Sequence, residues 1–406
     1  MLAQRRAAVA FILVTVALDV LALGIVIPVQ PKLVEIFLGG DTARAAIIFG
    51  IMSASWALMQ FFFSPLLGAL SDRYGRRPVI LISNLGLGLD YILMALAPSL
   101  AWLFVGRILA GICAASFSTA TAYIADVTPA EQRASAFGLI GAAFGIGFVA
   151  GPAIGGLLGG FDPRLPFWIA AAFSLANAAY GYFVLPESLP PENRTRTFSF
   201  ARANPLASMH LLTSDKLLFG LSASMFLHYI AHAVLPSLSV LYLGYRYGWG
   251  VREVGFVLAG VGVTSAIVQG ALIRPIIERF GPRQTMVAGL LLGAACMAVY
   301  GMAATPFAFC LGIPLGALWG VAGPSAQQLM TQRVGVDSQG QLQGANSSVM
   351  ATGNLIGPIV FTQIFAATAP WGMAHSGWAF GAAALLLACS AVVAAVTLKK
   401  ITLSTG

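Results

Sequence analysis

Charge is scarce in this chain of 406 residues. Asp, Glu, Lys and Arg together make up only 9% of it, whereas 58% of its residues are hydrophobic and its mean hydropathy is +0.86. A water-soluble domain of this length needs far more polar surface to remain in solution. The composition therefore excludes an ordinary soluble domain and indicates an integral membrane protein.

Residue types that build cofactor sites are scarce as well. The sequence has four cysteines and four histidines, and its cysteines show no CxxC or metal-ligand spacing, so we expect neither a disulfide framework nor redox chemistry. It also has no phosphate-binding loop and no Ser nucleophile elbow. We therefore expect no enzymatic activity, no cofactor and no metal. The cysteines all fall within apolar segments, at Cys113, Cys296, Cys310 and Cys389.

What the sequence does contain is a series of apolar segments, each close to the roughly 20 residues that a helix needs to cross a bilayer. The first begins like a signal peptide, but its length and Asp19 favour a retained span. We predict an all-α membrane protein with twelve transmembrane helices. They lie near residues 7–29, 45–70, 79–97, 100–124, 134–159, 165–185, 216–243, 254–273, 284–303, 306–330, 341–367 and 376–397.

Basic residues are distributed unevenly between alternate loops. Most Lys and Arg fall on the side that holds both termini, and by the positive-inside rule this side is the cytoplasm. The expected location is the bacterial cytoplasmic (inner) membrane. The net charge of +8 is then a topology signal beside anionic lipid, and it requires no nucleic-acid partner. The opposite side carries only Lys32, Arg44, Arg164, Arg246 and Arg252.

The sequence repeats itself once, at a nearly constant separation. VQPKLVEIFL at 29–38 recurs as VLPSLSVLYL at 234–243, LSDRYGRR at 70–77 recurs as IIERFGPR at 276–283, and the Gly-Pro pair at 151–152 recurs at 357–358. We therefore predict two homologous six-helix bundles, 1–185 and 216–406. A cytoplasmic linker, 186–215, rich in proline and charge, joins them.

Two parallel six-helix repeats are typical of secondary transporters, whose substrate site lies at mid-membrane between the halves. Such proteins work by opening that site to one side of the membrane at a time. We expect a monomer whose partners are a small-molecule substrate, protons and membrane lipid.

A charge-rich turn, GALSDRYGRR at 68–77, joins the second and third predicted helices. Gly75 allows a tight reversal of the chain, Asp72 is suited to cap a helix N-terminus, and Arg76 is suited to pair with Asp126. Contacts that form in one state and break in another make a conformational latch. The alternative is that the turn is only a positive-inside signal. The predicted latch residues are Gly68, Asp72, Arg73, Gly75, Arg76 and Asp126.

Three motifs resemble signatures of the major facilitator superfamily. GALSDRYGRR resembles its loop 2–3 signature, VGRILAGICAA at 105–115 its fourth-helix motif, and GIGFVAGPAIGG at 145–156 its fifth-helix antiporter motif. The chain is most similar to the twelve-helix drug:proton antiporters of the tetracycline-efflux type. This resemblance implies the major facilitator fold and multidrug-type efflux, with antibiotic resistance as one outcome. The implied cargo is a hydrophobic or amphiphilic drug, antibiotic or metabolite, exported in exchange for protons.

The chain departs from the best-known tetracycline subclass at two positions. That subclass carries a His in the eighth helix and an Asp in the ninth, whereas this chain has Ser265 at the first position and, near the second, Gly293. The identity of the substrate therefore stays open, and the proton-coupling groups are expected at other positions of the chain.

Charges inside apolar spans cost at least about 2.5–3.5 kcal/mol on insertion scales, so they are functional candidates. Asp19, in the middle of the first span, is the predicted proton carrier, because a carboxyl group held away from water can exchange its charge for a proton. Arg107 is assigned to the same coupling, and a permanent structural Asp19–Arg107 pair is the alternative. His228 and His232 share a helical face. His232 is predicted to assist coupling, with a packing role as the alternative.

Polar side chains in otherwise apolar spans mark the expected substrate cavity, because each is costly to bury without a partner. The alternative for any one of them is a hydrogen bond between packed helices. The predicted cavity residues are Gln60, Asp90, Tyr229, His228, Gln269, Gln327 and Asn346.

The glycines of the fifth span allow a neighbouring helix to pack backbone to backbone, and Pro152 introduces a bend. Such packing would seal the cavity against protons, although a purely structural role explains the glycines equally well. The predicted antiporter-motif residues are Gly147, Gly151, Pro152 and Gly155.

Other transport modes remain open at this point. A proton-coupled importer or a facilitator of a small metabolite would show the same repeats and the same charged turn. A pore-forming channel would need polar groups along one continuous path, and Asp19 with Arg107 does not supply them.

Overall fold

The structure is a computed structural model that describes residues 2–114, 116–128, 133–194, 211–213, 215–335 and 339–402. Within these ranges all regular elements are helical, which confirms the predicted all-α class. The first helices are α1 (Leu2–Val26), α2 (Gln30–Phe37), α3 (Thr42–Tyr74), α4 (Arg76–Leu96), α5 (Leu100–Cys113), α6 (Ser116–Val127), α7 (Arg133–Gly159) and α8 (Leu165–Val184). The later ones are α9 (Lys216–His232), α10 (Val234–Tyr247), α11 (Val251–Ile267), α12 (Ile273–Met302), α13 (Pro306–Cys310), α14 (Ile313–Trp319), α15 (Ala322–Thr331), α16 (Gln339–Thr368) and α17 (Trp378–Thr402).

Hydropathy and helix length account for the predicted spans. Ten helical stretches of the described chain are long and apolar enough to cross a membrane. One of them, Val251–Met302, has 52 residues, enough for two crossings, and it bends at Gly281, where φ is 74°. The fourth predicted span is divided between α5 and α6. The helices are therefore consistent with twelve spans.

The chain forms two compact units. The first consists of Met1–Gly40, Ser55–Ala203 and Gly250–Gly262, and the second of Asp41–Ala54, Asn204–Trp249 and Val263–Gly406. Each unit thus contains most of one predicted half and a short segment of the other, because the starts of α3 and α11 pack with the opposite half. The predicted boundaries at 185 and 216 stay a prediction, since residues 195–210 of the linker lie outside the described residues.

In the first unit α1 is surrounded by other helices. It lies against α6, α7 and α8, and α8 also lies against α4. Val16 and Val20 of α1 are buried with Tyr123 and Ile140 in one apolar cluster. Because lipid is as apolar as these side chains, such contacts stabilise the bundle through close packing. The helix that carries Asp19 is therefore held by neighbours along its length.

In the second unit α9 and α12 each lie against several other helices. α9 lies against α16 and α17, and α12 lies against α14, α15 and α17. Ser224 and Ser390 exchange hydrogen bonds between α9 and α17, each hydroxyl donating to the other residue's carbonyl oxygen at 2.9 and 2.7 Å. Hydroxyl bonds of this kind join helices inside membranes. They fix α9, the helix that carries both candidate histidines.

Candidate functional site

Asp19 is held by an amide from another helix. Asn177 of α8 is fully buried, and its Nδ2 donates to Asp19 Oδ1 at 2.8 Å and to the Thr15 carbonyl oxygen at 2.9 Å. The amide therefore positions the carboxyl group within the α1–α8 contact. No ion pair joins Asp19 to Arg107. The permanent pair that the sequence offered as an alternative is thus absent between these two described residues.

Arg107 of α5 lies beside an aromatic ring, and Asp90 lies on the adjacent helix α4. The Arg107 guanidinium lies 5.3 Å from the centre of the Trp56 ring, and no ion pair joins it to Asp90. Asp90 is only 1% exposed. Within the described part of the chain, both of its carboxyl oxygens and Arg107 Nε have no hydrogen-bond partner. Burying such groups without partners is costly, which marks this pair as a functional candidate of the first unit.

The predicted contact of the charged turn is present. Arg76 Nε donates to Asp126 Oδ2 at 3.1 Å, and the guanidinium also pairs with Asp72. Its Nη1 donates to Ser71 Oγ at 2.7 Å. Arg73 is exposed and lies over the ring of Tyr74, 5.2 Å away. Gly68 contributes a carbonyl oxygen that accepts from Ser71 Oγ at 2.7 Å. The geometry permits a latch, and that role stays a prediction.

Glu187 completes this turn, although no sequence motif pointed to it. α4 begins just after Gly75, whose φ of 106° favours glycine. The Arg76 backbone N–H donates to Glu187 Oε1 at 2.9 Å, although the two residues are 111 positions apart. Asp72 was expected to cap a helix here. Glu187 caps α4 instead, because Asp72 is engaged by the Arg76 side chain.

The start of the linker is tied to the same turn. Ser188 Oγ donates to Asp126 Oδ2 at 3.1 Å, and Arg194 lies 3.7 Å from Glu187 Oε2. Residues 195–210 of the linker lie outside the described residues. The described part shows that the turn and the first linker residues form one hydrogen-bonded cluster.

The antiporter-motif glycines pack against the helix of Asp19. A Cβ placed on Gly147 would lie 2.6 Å from Val20 Cγ1, and one on Gly151 would lie 2.6 Å from Gly24 Cα. A Cβ on Gly155 would overlap the Ile25 carbonyl oxygen. Pro152 lies in the same stretch, within α7. The glycine row, defined as residues 147, 151 and 155, therefore brings the backbones of α1 and α7 into direct contact.

In the second unit the two histidines gather around Trp319. Its Nε1 donates to His228 Nδ1 at 3.0 Å, which requires that nitrogen to act as an acceptor. The His232 ring lies 5.3 Å from the Trp319 ring and 6.3 Å from the His228 ring, and Tyr229 lies beside His228 at 5.2 Å. A Cβ on Gly293 would lie 2.7 Å from the Trp319 ring. Trp319 therefore occupies the space that a side chain at Gly293 would need.

The predicted cavity amides fall into different surroundings. Asn346 Nδ2 donates to Gln327 Oε1 at 3.1 Å, while Gln327 Nε2 is buried with no hydrogen-bond partner among the described residues. Gln269 is exposed in a π-helical turn, Val268–Leu272, between α11 and α12, and such turns are frequent at functional sites. Gln60 is half-buried in α3. Gln327 and Asn346 thus form a pair, whereas Gln60 and Gln269 lie in different units.

The described residues contain no group of three or more His, Cys, Asp or Glu suited to hold a metal ion. The candidate site therefore consists of protonatable, amide and aromatic side chains. In the first unit it comprises Asp19, Asn177, Asp90 and Arg107. In the second it comprises His228, His232, Trp319 and the Gln327–Asn346 pair.

Comparison with known proteins identifies similar chains. The family model described as Major Facilitator Superfamily matches residues 12–358 and 221–402. The chain is 38% identical over 381 residues to "Tetracycline resistance protein, class C" of Escherichia coli, covering 93% of this chain and 94% of that protein.

Two solved structures have a similar fold. The human organic anion transporter MFSD10 (TETRAN) has a TM-score of 0.72 at 24% identity, covering 96% of this chain and 99% of its own. A D-xylose-proton symporter has a TM-score of 0.76 at 17% identity, covering 95% and 96%.

Proposed function

The chain belongs to the Major Facilitator Superfamily, and we propose that it exports a hydrophobic or amphiphilic small molecule in exchange for protons. Membership makes it a transporter, and the similarity to a tetracycline resistance protein over 93% of the chain supports the outward direction. No enzymatic step is needed for this activity, because the proton gradient supplies the driving force. One charge that crosses 100 mV yields about 2.3 kcal/mol.

The observation that supports proton coupling best is the environment of Asp19. Its carboxyl group lies within a membrane helix and accepts from Asn177 at 2.8 Å, without an ion pair to Arg107. A carboxylate without a permanent cation can be neutralised by a proton at little electrostatic cost. Asp19 is therefore the proposed proton carrier, and Asn177 holds its carboxyl group in place.

The glycine row links protonation of Asp19 on α1 to movement of α7. Because α1 and α7 touch through their backbones at Gly24 and Gly151, a change in the position of α1 is passed directly to α7. Arg76 and Asp126, at the charged turn, form the proposed latch that opens and closes with this motion.

The polar residues of each unit are proposed to contact the substrate. In the first unit these are Gln60 and Asp90. Trp319 occupies the space that a side chain at Gly293 would need, so the second unit offers polar groups other than the aspartate that the best-known tetracycline subclass carries near this position. Those groups are His228, Tyr229, Gln269, Gln327 and Asn346. Arg107 and His232 are proposed to assist Asp19 in proton coupling. A tetracycline is a reasonable first substrate to test, and other amphiphilic aromatic compounds should follow.

Purified protein in liposomes under an imposed pH gradient tests the proposal. With a more acidic lumen, the exporter should accumulate tetracycline or another amphiphile inside when the cytoplasmic face points outward, and protons should leave as substrate enters. Proton movement in the same direction as the substrate would identify a symporter instead. Substrate flow that does not depend on the pH gradient would identify a facilitator.

The runner-up is a proton-coupled importer or a facilitator of a small metabolite. The same fold serves a D-xylose-proton symporter at a TM-score of 0.76, and at 17% identity that similarity concerns the fold alone. The liposome experiment separates these functions because each predicts a different relation between proton and substrate fluxes.

A further inference from the structure

The amide of Asn177 has two ends that are not equivalent. Its Nδ2 donates to Asp19 Oδ1 at 2.8 Å and to the Thr15 carbonyl oxygen at 2.9 Å, so both of its N–H groups are used. Its Oδ1 is an acceptor, and it is buried without a hydrogen-bond partner among the described residues. If the amide turned over, this oxygen would face the Asp19 carboxylate and repel it. A donor at Oδ1 is therefore what fixes the orientation of the amide.

Asn84 lies on the face of α4 that packs against α8. Leu81 and Gly88, three and four residues away on the same face, both contact α8. A Cβ on Gly88 would lie 2.6 Å from Leu175 Cδ2, and a Cβ on Gly181 would lie 2.8 Å from Leu81 Cδ2. Asn84 is thus flanked on both sides by contacts with α8.

The same two contacts set the level of Asn84 along α8. They follow the two chains in opposite directions, so the helices are antiparallel, and Asn84 lies between the contacts at the height of Asn177. Asn177 precedes Gly181 by four residues and therefore lies on the same face of α8, toward α4. The two asparagines thus belong to one contact between helices.

Asn84 carries the donor that Asn177 needs. It is 0% exposed, and neither its Nδ2 nor its Oδ1 has a hydrogen-bond partner in the described chain. An unpaired buried polar group costs about 1–3 kcal/mol, and buried polar groups are almost always paired. A bond from Asn84 Nδ2 to Asn177 Oδ1, formed by rotation of the Asn84 side chain or through one bridging water, gives both groups a partner.

A rival donor is Ser174, whose hydroxyl is also buried without a partner among the described residues. It lies three residues before Asn177 on α8, so it belongs to the same helix as the amide. A donor from α4 differs because it joins a third helix to the contact between α1 and α8. α4 begins at Arg76, about two helical turns from Asn84, so this contact also leads toward the charged turn.

We propose that Asn84 is a positioning residue for the proton carrier. It donates to Asn177 Oδ1 and keeps Asn177 Nδ2 turned toward Asp19, so the carboxylate has a hydrogen bond each time it releases its proton. Without Asn84 the amide turns over, its oxygen faces Asp19, and the ionised carboxylate loses that bond. This inference rests on the proposed function in one respect, the role of Asp19 as the proton carrier.

Infrared spectroscopy of the purified full-length chain tests the orientation of the amide. The carbonyl stretch of the protonated Asp19 carboxyl group is the band that Asp19→Asn removes from the difference spectrum between acidic and neutral pH. In the parent an Asn177 N–H holds this carbonyl, which lowers its wavenumber. Asn84→Leu has a similar volume and no donor, so the band should shift to higher wavenumber, as it should in Asn177→Leu. The double variant should shift it no further than Asn177→Leu alone.

Three further variants locate the donor. Asn84→Ser keeps a hydroxyl donor and should return the band to its position in the parent. Ser174→Ala should leave the band in place. Ser83→Ala is the control and should also leave it in place, because Ser83 is a buried polar neighbour of Asn84 on a different face of α4. A band that moves in Ser174→Ala and stays in Asn84→Leu would overturn the assignment to Asn84.

Transport measures the functional consequence. Asn84→Leu should slow gradient-driven uptake into liposomes about tenfold, the order expected for the loss of one hydrogen bond to a charged group. Substrate binding and thermal stability should stay near those of the parent, and Asn84→Ser should recover most of the rate. Unchanged uptake in Asn84→Leu would overturn the positioning role, and so would an equal loss of uptake and stability in Asn84→Leu and Asn84→Ser.

Should Asn84→Leu fold poorly, Asn84→Ala and Asn84→Ser differ by one hydroxyl donor, and only Asn84→Ala should move the band. The infrared measurement needs no transport. If Asp19→Asn still transports with the gradient, the proposed function fails, whereas failure of the Asn84 proposal leaves the result for Asp19→Asn intact.

Discussion

At the scale of single residues, the structure separates the charges of the membrane interior into two groups. Asp19 is held by the Asn177 amide, whereas Asp90 and Arg107 lie on the adjacent helices α4 and α5 and lack hydrogen bonds at Asp90 Oδ1, Asp90 Oδ2 and Arg107 Nε within the described chain. The hydrogen bond from a neutral amide holds the Asp19 carboxyl group in place without supplying a compensating positive charge. The coupling prediction therefore concerns Asp19.

The substitution Asp19→Asn should abolish pH-driven transport while leaving membrane insertion and substrate binding intact, because asparagine fills the same space and cannot exchange a proton. Substrate uptake into liposomes with and without a pH gradient measures the effect. Asp41→Asn is the control, since Asp41 is exposed and its carboxylate accepts from the Arg44 backbone N–H at 3.0 Å. Gradient-driven uptake that survives in Asp19→Asn would remove Asp19 from the mechanism.

Glu187 is the second residue whose role can be measured directly. Glu187→Gln replaces the charged cap of α4 and loses the Arg194 contact, so it should lower stability by about 1 kcal/mol and alter the transport rate more than the apparent substrate affinity. Thermal unfolding and initial rates at several substrate concentrations test both parts. Glu192→Gln, an exposed position of the same segment, should match the parent. Identical behaviour of both variants would mean that the cap is dispensable.

At the scale of helices, the contact between α1 and α7 explains why the fifth-span motif contains glycine at every fourth position. A side chain at 147, 151 or 155 would meet α1, whereas a Cβ on Gly141 or Gly145 of the same helix meets no atom within 4 Å. The small residues are therefore required on one face of α7 and dispensable on another. This difference gives an internal control for the role of the motif.

Gly151→Leu should destabilise the protein by about 1–3 kcal/mol, the usual cost of overpacking, and should reduce transport because α1 and α7 can no longer touch. Gly145→Leu places the same side chain on the same helix where the structure has room, and it should keep both stability and transport. Unfolding temperature and liposome uptake of the two variants are compared side by side. Equal loss in both would show that the helix face does not matter.

At the scale of the whole molecule, the sequence predicted where the helices lie along the chain better than which segments they contact. Hydropathy identified the spans because a bilayer requires long apolar stretches regardless of what they contact. It did not reveal that the starts of α3 and α11 pack with the opposite half, because that choice depends on side-chain fit between distant segments. The Arg76–Asp126 contact was predicted from a motif. Glu187 was not, because nothing near position 187 in the sequence points to a turn 111 residues away.

The distribution of basic residues predicts the orientation of the whole chain, and reporter fusions test this prediction directly. A green fluorescent reporter fused after Gly406 should fluoresce, and an alkaline phosphatase fused after Gly160, between α7 and α8, should be active, since phosphatase folds only outside the cytoplasm. A phosphatase fused after Gly75 should be inactive. The opposite pattern would reverse the predicted topology.

The opposite charges of Asp90 and Arg107 on adjacent helices also bear on how the protein enters its membrane. α5 carries an arginine at its centre and shares the fourth predicted span with α6, and a charge inside a span is costly to insert. Such a segment inserts poorly alone. Its neighbour α4 brings the opposite charge, so the two helices leave the translocon most favourably together as one hairpin, and biogenesis of this region depends on both being synthesised before either is released into lipid.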